Sequence, residues 1–157
     1  MLNVLYSVLE DSLRPIDGTV NIYSGNPVAF KTATTDGTIT TVVGNVAVYG
    51  LAKFDANQYA NFASGEAGAY GSGKMTIIKR GIVQLYPSVY QDPTTLNTVV
   101  QQIWDTTQTN YNAGQPLYVI NGYITTDSTA VSNTLIGKVI VGPTATNGGV
   151  MTIEVDL

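Results

Sequence analysis

The chain contains no cysteine and no histidine. These two absences exclude a disulfide framework, a thiol nucleophile, a Ser-His or Cys-His pair, a zinc finger and the ordinary haem ligands. A chain without cysteine also needs no oxidising compartment. Charge is scarce as well: 11% of residues are charged, against about 25% in an average soluble domain. The surface must therefore be covered by Thr, Asn, Gln, Gly, Ser and Tyr. Sparse charge suits a surface that meets partner subunits, because interface cores are depleted in Lys, Glu and Asp and enriched in aromatics. Ten Tyr and the single Trp, Trp104, fit that reading. They equally fit half-buried positions on strands, where aromatic residues are favoured.

Basic residues are the rarer sign, with seven Lys plus Arg against eleven Asp plus Glu, a net charge of -4 and a sequence pI near 4.4. Nucleic acid is not an expected partner, since binding it leaves a basic stripe on one face. The one local excess, Lys53, Lys74, Lys79 and Arg80, is interleaved with apolar residues and reads as a solvated strand face. No apolar run reaches the roughly 18 residues of a membrane span, so no membrane partner is expected. The segment 1–13 is apolar, but it has no basic n-region and carries Glu10 and Asp11. It does not read as a secretory signal.

What is present is enough for a core. The 157 residues give a prior of one domain, which at this size buries roughly 68–70% of the unfolded surface. A hydrophobic share of 44% and a mean hydropathy of +0.12 lie far from the disordered regime.

From Gly18 onward the pattern is β. Short β-branched or aromatic runs occupy 39–43, 46–54, 75–78, 82–85, 117–120, 135–141 and 150–157, with Val20, Ile22 and Phe30 before them. Turn signals separate the runs. Asp36-Gly37 predicts a two-residue type I′ hairpin, which needs positive φ at both centres. Asn121-Gly122 predicts a second hairpin, and Asn147-Gly148-Gly149 a turn into a closing strand. Many short strands with regular turns predict an all-β fold, a compact β-barrel or β-sandwich. One stretch departs from this. Asp92-Pro93 resembles an N-cap with proline at the first helical position, and Leu96, Val99, Val100, Ile103 and Trp104 recur at helical spacing. A short helix near 93–104 is the expectation there. Residues 61–74, with Gly65, Gly68, Gly71 and Gly73, read as a loop.

Residues 1–17 stand apart as an N-terminal arm to a single β domain over 18–157. Leu2, Leu5, Tyr6, Leu9 and Leu13 follow helical spacing, while Leu2, Val4, Tyr6 and Val8 alternate as in a strand, so periodicity leaves both open. An apolar terminus must dock, either on its own domain or on a neighbouring subunit. The candidate contact residues are accordingly Leu2, Val4, Leu5, Tyr6, Val8, Leu9 and Leu13, together with the aromatics Tyr86, Tyr90 and Trp104.

Catalytic motifs are weak throughout. Asp17-Gly18-Thr19 and Asp36-Gly37-Thr38 invert the Asp-Thr/Ser-Gly order of an aspartic protease and look like turns. Eleven acids always supply some pair at glycosidase spacing, so that signal has no specificity. Asp55, Asn57 and Asn61 lack the glycine and terminal glutamate of a calcium loop. Gly73-Lys74-Met75 lacks the Ser or Thr that completes a phosphate loop. No catalytic residue, metal or cofactor is therefore assigned. Exposed Tyr or Trp stacking on sugar rings keeps open a carbohydrate-binding β-sandwich, or a phage tail or fibre module.

The second half carries an ordered series of short motifs. Tyr111-Asn112-Ala113-Gly114-Gln115-Pro116-Leu117-Tyr118-Val119 is followed by Asn121-Gly122-Tyr123-Ile124-Thr125, by Ile136-Gly137-Lys138-Val139 and by Gly149-Val150-Met151-Thr152-Ile153-Glu154-Val155. This series, with the strand pair in 73–86 before it, resembles the small capsid decoration, or cement, proteins of tailed double-stranded DNA bacteriophages. The resemblance covers 73–86 and 111–157; Gln115 stands where an acid is more usual, and 88–110 looks like an insertion. It implies a non-enzymatic virion protein on the outer capsid surface that clamps neighbouring major capsid subunits, usually as a homotrimer.

Overall fold

A computed structural model of the chain describes residues 1–32, 35–44, 46–54, 73–91, 97–129 and 134–157. The strands are β1 (Leu2–Pro15), β2 (Pro27–Phe30), β3 (Ile39–Thr41), β4 (Gly50–Ala52), β5 (Lys74–Leu85), β6 (Ser88–Gln91), β7 (Thr98–Gln101), β8 (Pro116–Ile120), β9 (Tyr123–Thr125), β10 (Gly137–Val141) and β11 (Met151–Asp156). Nine of them form one antiparallel sheet in the order β3-β2-β4-β5-β11-β10-β8-β9, with β1 also paired to β5. The sheet curls into a half-barrel, so the fold is all-β.

Strand β5 is the hub. Along one edge it pairs with β1 over nearly its whole length. Along the other edge it pairs first with β4, at Ile77 and Ile78, and then with β11, from Arg80 to Leu85. Its inward side chains serve two cores. Met75 and Ile77 join Ile22, Val28, Ile39 and Ala52 in a smaller cluster. Ile78, Val83 and Leu85 join Leu117, Val119, Ile124, Val139, Ile153 and Val155 in the larger one. The strand alternation slips between Ile77 and Ile78, where consecutive residues are both buried. Gly81 follows at φ +155°, and a Cβ there would lie 2.3 Å from the Tyr6 carbonyl oxygen. Only glycine lets β1 approach β5 so closely at that kink. At the far end a parallel bridge from Ile16 to Ile39 brings the exit of β1 back to β3, wrapping the smaller core.

Several local expectations are corrected. The helix expected near 93–104 is not formed in its described part: Thr98–Gln101 is β7, paired with β6, and residues 92–96 lie outside the described ones. The β-branched Thr98, Val99 and Val100 favour the strand, and the partner strand supplies the ladder. Asn121 and Gly122 both have positive φ, +46° and +83°, as a type I′ hairpin requires. At Asp36-Gly37 only the glycine does, at +73°. The Asp36 carboxylate instead accepts from the backbone N–H (3.1 Å) and hydroxyl (2.6 Å) of Thr38. The same Asp-x-Thr turn recurs at Asp17, Asp105 and Asp127, each carboxylate holding the amide and hydroxyl of the threonine two residues on. In these turns the side chain satisfies a local backbone donor that would otherwise need water. The loop expected over 61–74 and the Asp55, Asn57 and Asn61 set fall almost wholly outside the described residues.

Candidate functional site

Residues 2–15 form a strand on their own chain. Antiparallel pairing with β5 runs from Leu2 opposite Leu85 to Pro15 opposite Lys74. The two chain ends of this pair are tied by reciprocal bonds: the Met1 amine donates to the Tyr86 carbonyl at 2.6 Å, and the Tyr86 N–H donates to the Met1 carbonyl at 2.7 Å. The register slips four times, between Val4 and Tyr6, Ser7 and Leu9, Leu9 and Glu10, and Asp11 and Arg14. Three slips leave an extra residue on β1 and the one between Leu9 and Glu10 leaves Lys79 extra on β5, and each re-aims the side chains beside it.

The ten candidate contact residues divide. Leu2 and Trp104 are buried in the larger core, at 8% and 6% exposure, and Val4 packs against that core. All three pack into or against the chain's own core. Tyr86 is half-buried with its hydroxyl on Gln84 Oε1 at 3.0 Å. The side chains of Val8, Leu13 and Tyr90 lie outside the described residues. Leu5, Tyr6 and Leu9 are exposed at 53%, 62% and 45%.

The register places these three on a face that extends beyond β1. Tyr6 lies opposite Ile82 and Leu9 opposite Arg80, while Ile82 and Arg80 face Glu154 and Asp156 on β11. Cross-strand partners share a face, so Tyr6, Leu9 and Ile82 form an apolar strip on the outer side of β1-β5-β11. Leu5, the extra residue at the first slip, adds to its edge. Polar pairs frame the strip. Asn3 bonds Gln84 at 3.3 Å, Arg80 pairs with Asp156 at 2.7 Å, and Lys138 pairs with Glu154 at 2.9 Å. An apolar centre inside a polar rim is the anatomy of a protein contact surface. Ile82 and Arg80 were absent from the sequence candidates, although the outward parity of β5 marks them once Val83 and Leu85 are assigned inward.

Toward its C-terminal half, β1 is charged but self-contained. Glu10 accepts from Lys53 at 2.9 and 3.1 Å. Burial opposes its charge, yet the Lys53 and Ser7 hydrogen bonds outweigh it and hold the carboxyl below its usual value. Asp11 pairs with Arg14 at 2.6 Å and accepts from the Tyr49 hydroxyl. Burial again opposes the charge of Asp11, and these bonds again win. Arg14 in turn lies over the Phe30 and Tyr49 rings, and Lys79 sits 4.3 Å from the Tyr49 centroid. Among the described residues no cluster of three or more acidic side chains is placed to hold a metal ion. No helix among them is long and apolar enough to cross a membrane. Set against protein-family models, curated proteins and solved structures, the chain has no significant match.

Proposed function

We propose that this protein is a non-enzymatic structural component of a phage virion, which binds the outer capsid surface and cements neighbouring major capsid subunits. The observation that carries the reading is the outer face of β1-β5-β11, where exposed Leu5, Tyr6 and Leu9 and the neighbouring Ile82 sit within a rim of amide and ion pairs. Three exposed apolar side chains within five residues of a long strand are the kind of patch that association covers. The resemblance over 73–86 and 111–157 supports a major capsid subunit as the partner, and it is what implies a homotrimer. The low charge of the whole chain fits a molecule whose task is to bury surface against protein.

Co-sedimentation with assembled capsids of the encoding phage tests the reading. Wild-type protein should pellet with capsids and raise their resistance to heat. Tyr6→Asp and Leu9→Asp should fold normally by circular dichroism and lose pelleting at least tenfold, because each sets an unpaired charge at a desolvating centre. Full-strength pelleting of both variants, or no pelleting of the wild type, overturns the proposal. Light scattering at micromolar concentration reports the oligomer separately.

A further inference from the structure

A groove of about 570 Å³ opens between residues 104–113 and 140–144. Its size lies within the range of small-ligand sites. None of its lining side chains carries a charge. The polar ones are hydroxyls and amides: Thr106, Gln108, Thr109, Asn112 and Thr144. No hydrogen bond joins the side chains of Thr106, Gln108 or Thr109 to any other described residue, so their donors and acceptors are open to a ligand. Opposite them, Ile140 and Pro143 are half-buried and Val141 is 47% exposed, giving an apolar strip. Trp104, the only tryptophan of the chain, is among the lining residues and 6% exposed.

The walls are fixed before any ligand arrives. The Tyr111 hydroxyl is shared between the carbonyls of Asp105 at 2.8 Å and Ile124 at 3.1 Å, and burial pushes its phenol well above the usual range. Gly142 packs so tightly on that segment that a Cβ would lie 2.0 Å from the Tyr111 carbonyl oxygen. The Asn147 side chain donates to the Gly142 carbonyl at 2.9 Å and closes a reciprocal cap with Thr144. Preorganised walls of this kind reduce the ordering cost of binding.

We propose that this groove binds a neutral saccharide. Uncharged hydroxyls and amides facing an apolar strip match a sugar, which presents a hydroxyl edge and a C–H face and carries no charge. An anion would find no cation there. An extended peptide would find only the last two residues of β10, Ile140 and Val141, to continue, because residues 105–115 and 142–144 are turn and coil. The proposal stands apart from the capsid reading, since it concerns a different surface and different residues.

An array of neutral and anionic glycans, followed by titration of the whole protein with the neutral hits, provides the test. Neutral glycans should bind, should change the emission of Trp104 saturably, and should shift amide resonances confined to 104–113 and 140–144. Gln108→Glu should weaken binding at least tenfold with an unchanged melting temperature, and Val141→Asp should do the same from the apolar side. An array without neutral hits, binding only of anionic glycans, shifts outside these segments, or unaltered affinity in both variants would each overturn the assignment. So would broadening of the groove resonances with protein concentration alone, which would mean that a second copy fills it. Capsid pelleting by the two variants should remain at wild-type level; its loss would overturn the separation of the two surfaces.

Discussion

Replacing Asp17 by Asn should remove a clamp that holds the exit of β1 to the β2–β3 hairpin. One carboxylate oxygen accepts from the Thr19 amide at 3.0 Å and hydroxyl at 2.6 Å. The other meets Lys31 at 2.9 Å and the Thr40 hydroxyl at 3.4 Å. The side chain is only 7% exposed. The Thr19 and Lys31 bonds hold the carboxyl at about 2, against an ordinary 3.8. A difference of that size contributes about 2 kcal/mol at neutral pH. Lys31 is 40% exposed, and water screens part of its share, leaving about 1–2 kcal/mol. Asparagine also turns a nitrogen toward a donor and loses one good hydrogen bond, which costs about 1 kcal/mol more.

Asp17→Asn should therefore destabilise by about 2–3 kcal/mol at pH 7, a large part of a typical folding free energy. The folded-state value is lowered, so the charge-dependent contribution is complete above about pH 4 and fades as pH falls through about 2. Urea unfolding followed by Trp104 emission, for both proteins at pH 7 and near pH 2.5, measures the gap. It should narrow by about 1 kcal/mol at the lower pH. A gap below about 0.5 kcal/mol at pH 7, or one that stays constant with pH, would refute the clamp.

Deleting residues 2–15 should abolish cooperative unfolding by circular dichroism, because it strips the longest pairing in the molecule from β5; a folded truncated chain would show that β5 stands without that cover. Ile153→Ala, at a fully buried site on β11 in the larger core, should cost about 2–5 kcal/mol in urea titration. Between pH 6 and 9 the melting temperature should vary little, since no imidazole or thiol is present to titrate there; a shift of many degrees in scanning calorimetry would contradict this.

Strands β8, β10 and β11 were legible because each is a short β-branched run beside a glycine turn, and Asn121-Gly122 fixes one hairpin by local chemistry alone. β1 was not, for a physical reason. Its register slips insert unpaired residues, so the apolar positions drift out of a two-residue period and imitate helical spacing. β7 failed differently: Val99, Val100 and Ile103 fit a helical period, while the strand depends on pairing with 88–91, which a local window does not contain. The proposed contact surface was half legible. Exposed Leu5, Tyr6 and Leu9 lie in the segment that composition singled out, but Leu2 and Trp104 went to the core. Burial of an individual apolar residue depends on register, and register is set by long-range pairing.

The slips in β1 also bear on how such a surface avoids indiscriminate association. Among the described strands the 14-residue β1 pairs only with β5, and on its other edge the Leu2 N–H donates to the Ser24 hydroxyl at 2.9 Å. A flat edge of that length would template any extended chain. Repeated slips interrupt the ladder, so an incoming strand finds few consecutive backbone groups in register. The charges of Glu10, Asp11 and Arg14 are closed on intramolecular partners at the far end. The near end keeps its apolar side chains but directs Tyr6 and Leu9 onto the sheet face, beside Ile82. In the proposed role, recognition there would run through side-chain shape within a polar rim, which discriminates between partners, and much less through backbone pairing, which does not. For that role, the same irregularity that hid β1 from periodicity would thus favour a selective contact face over backbone pairing.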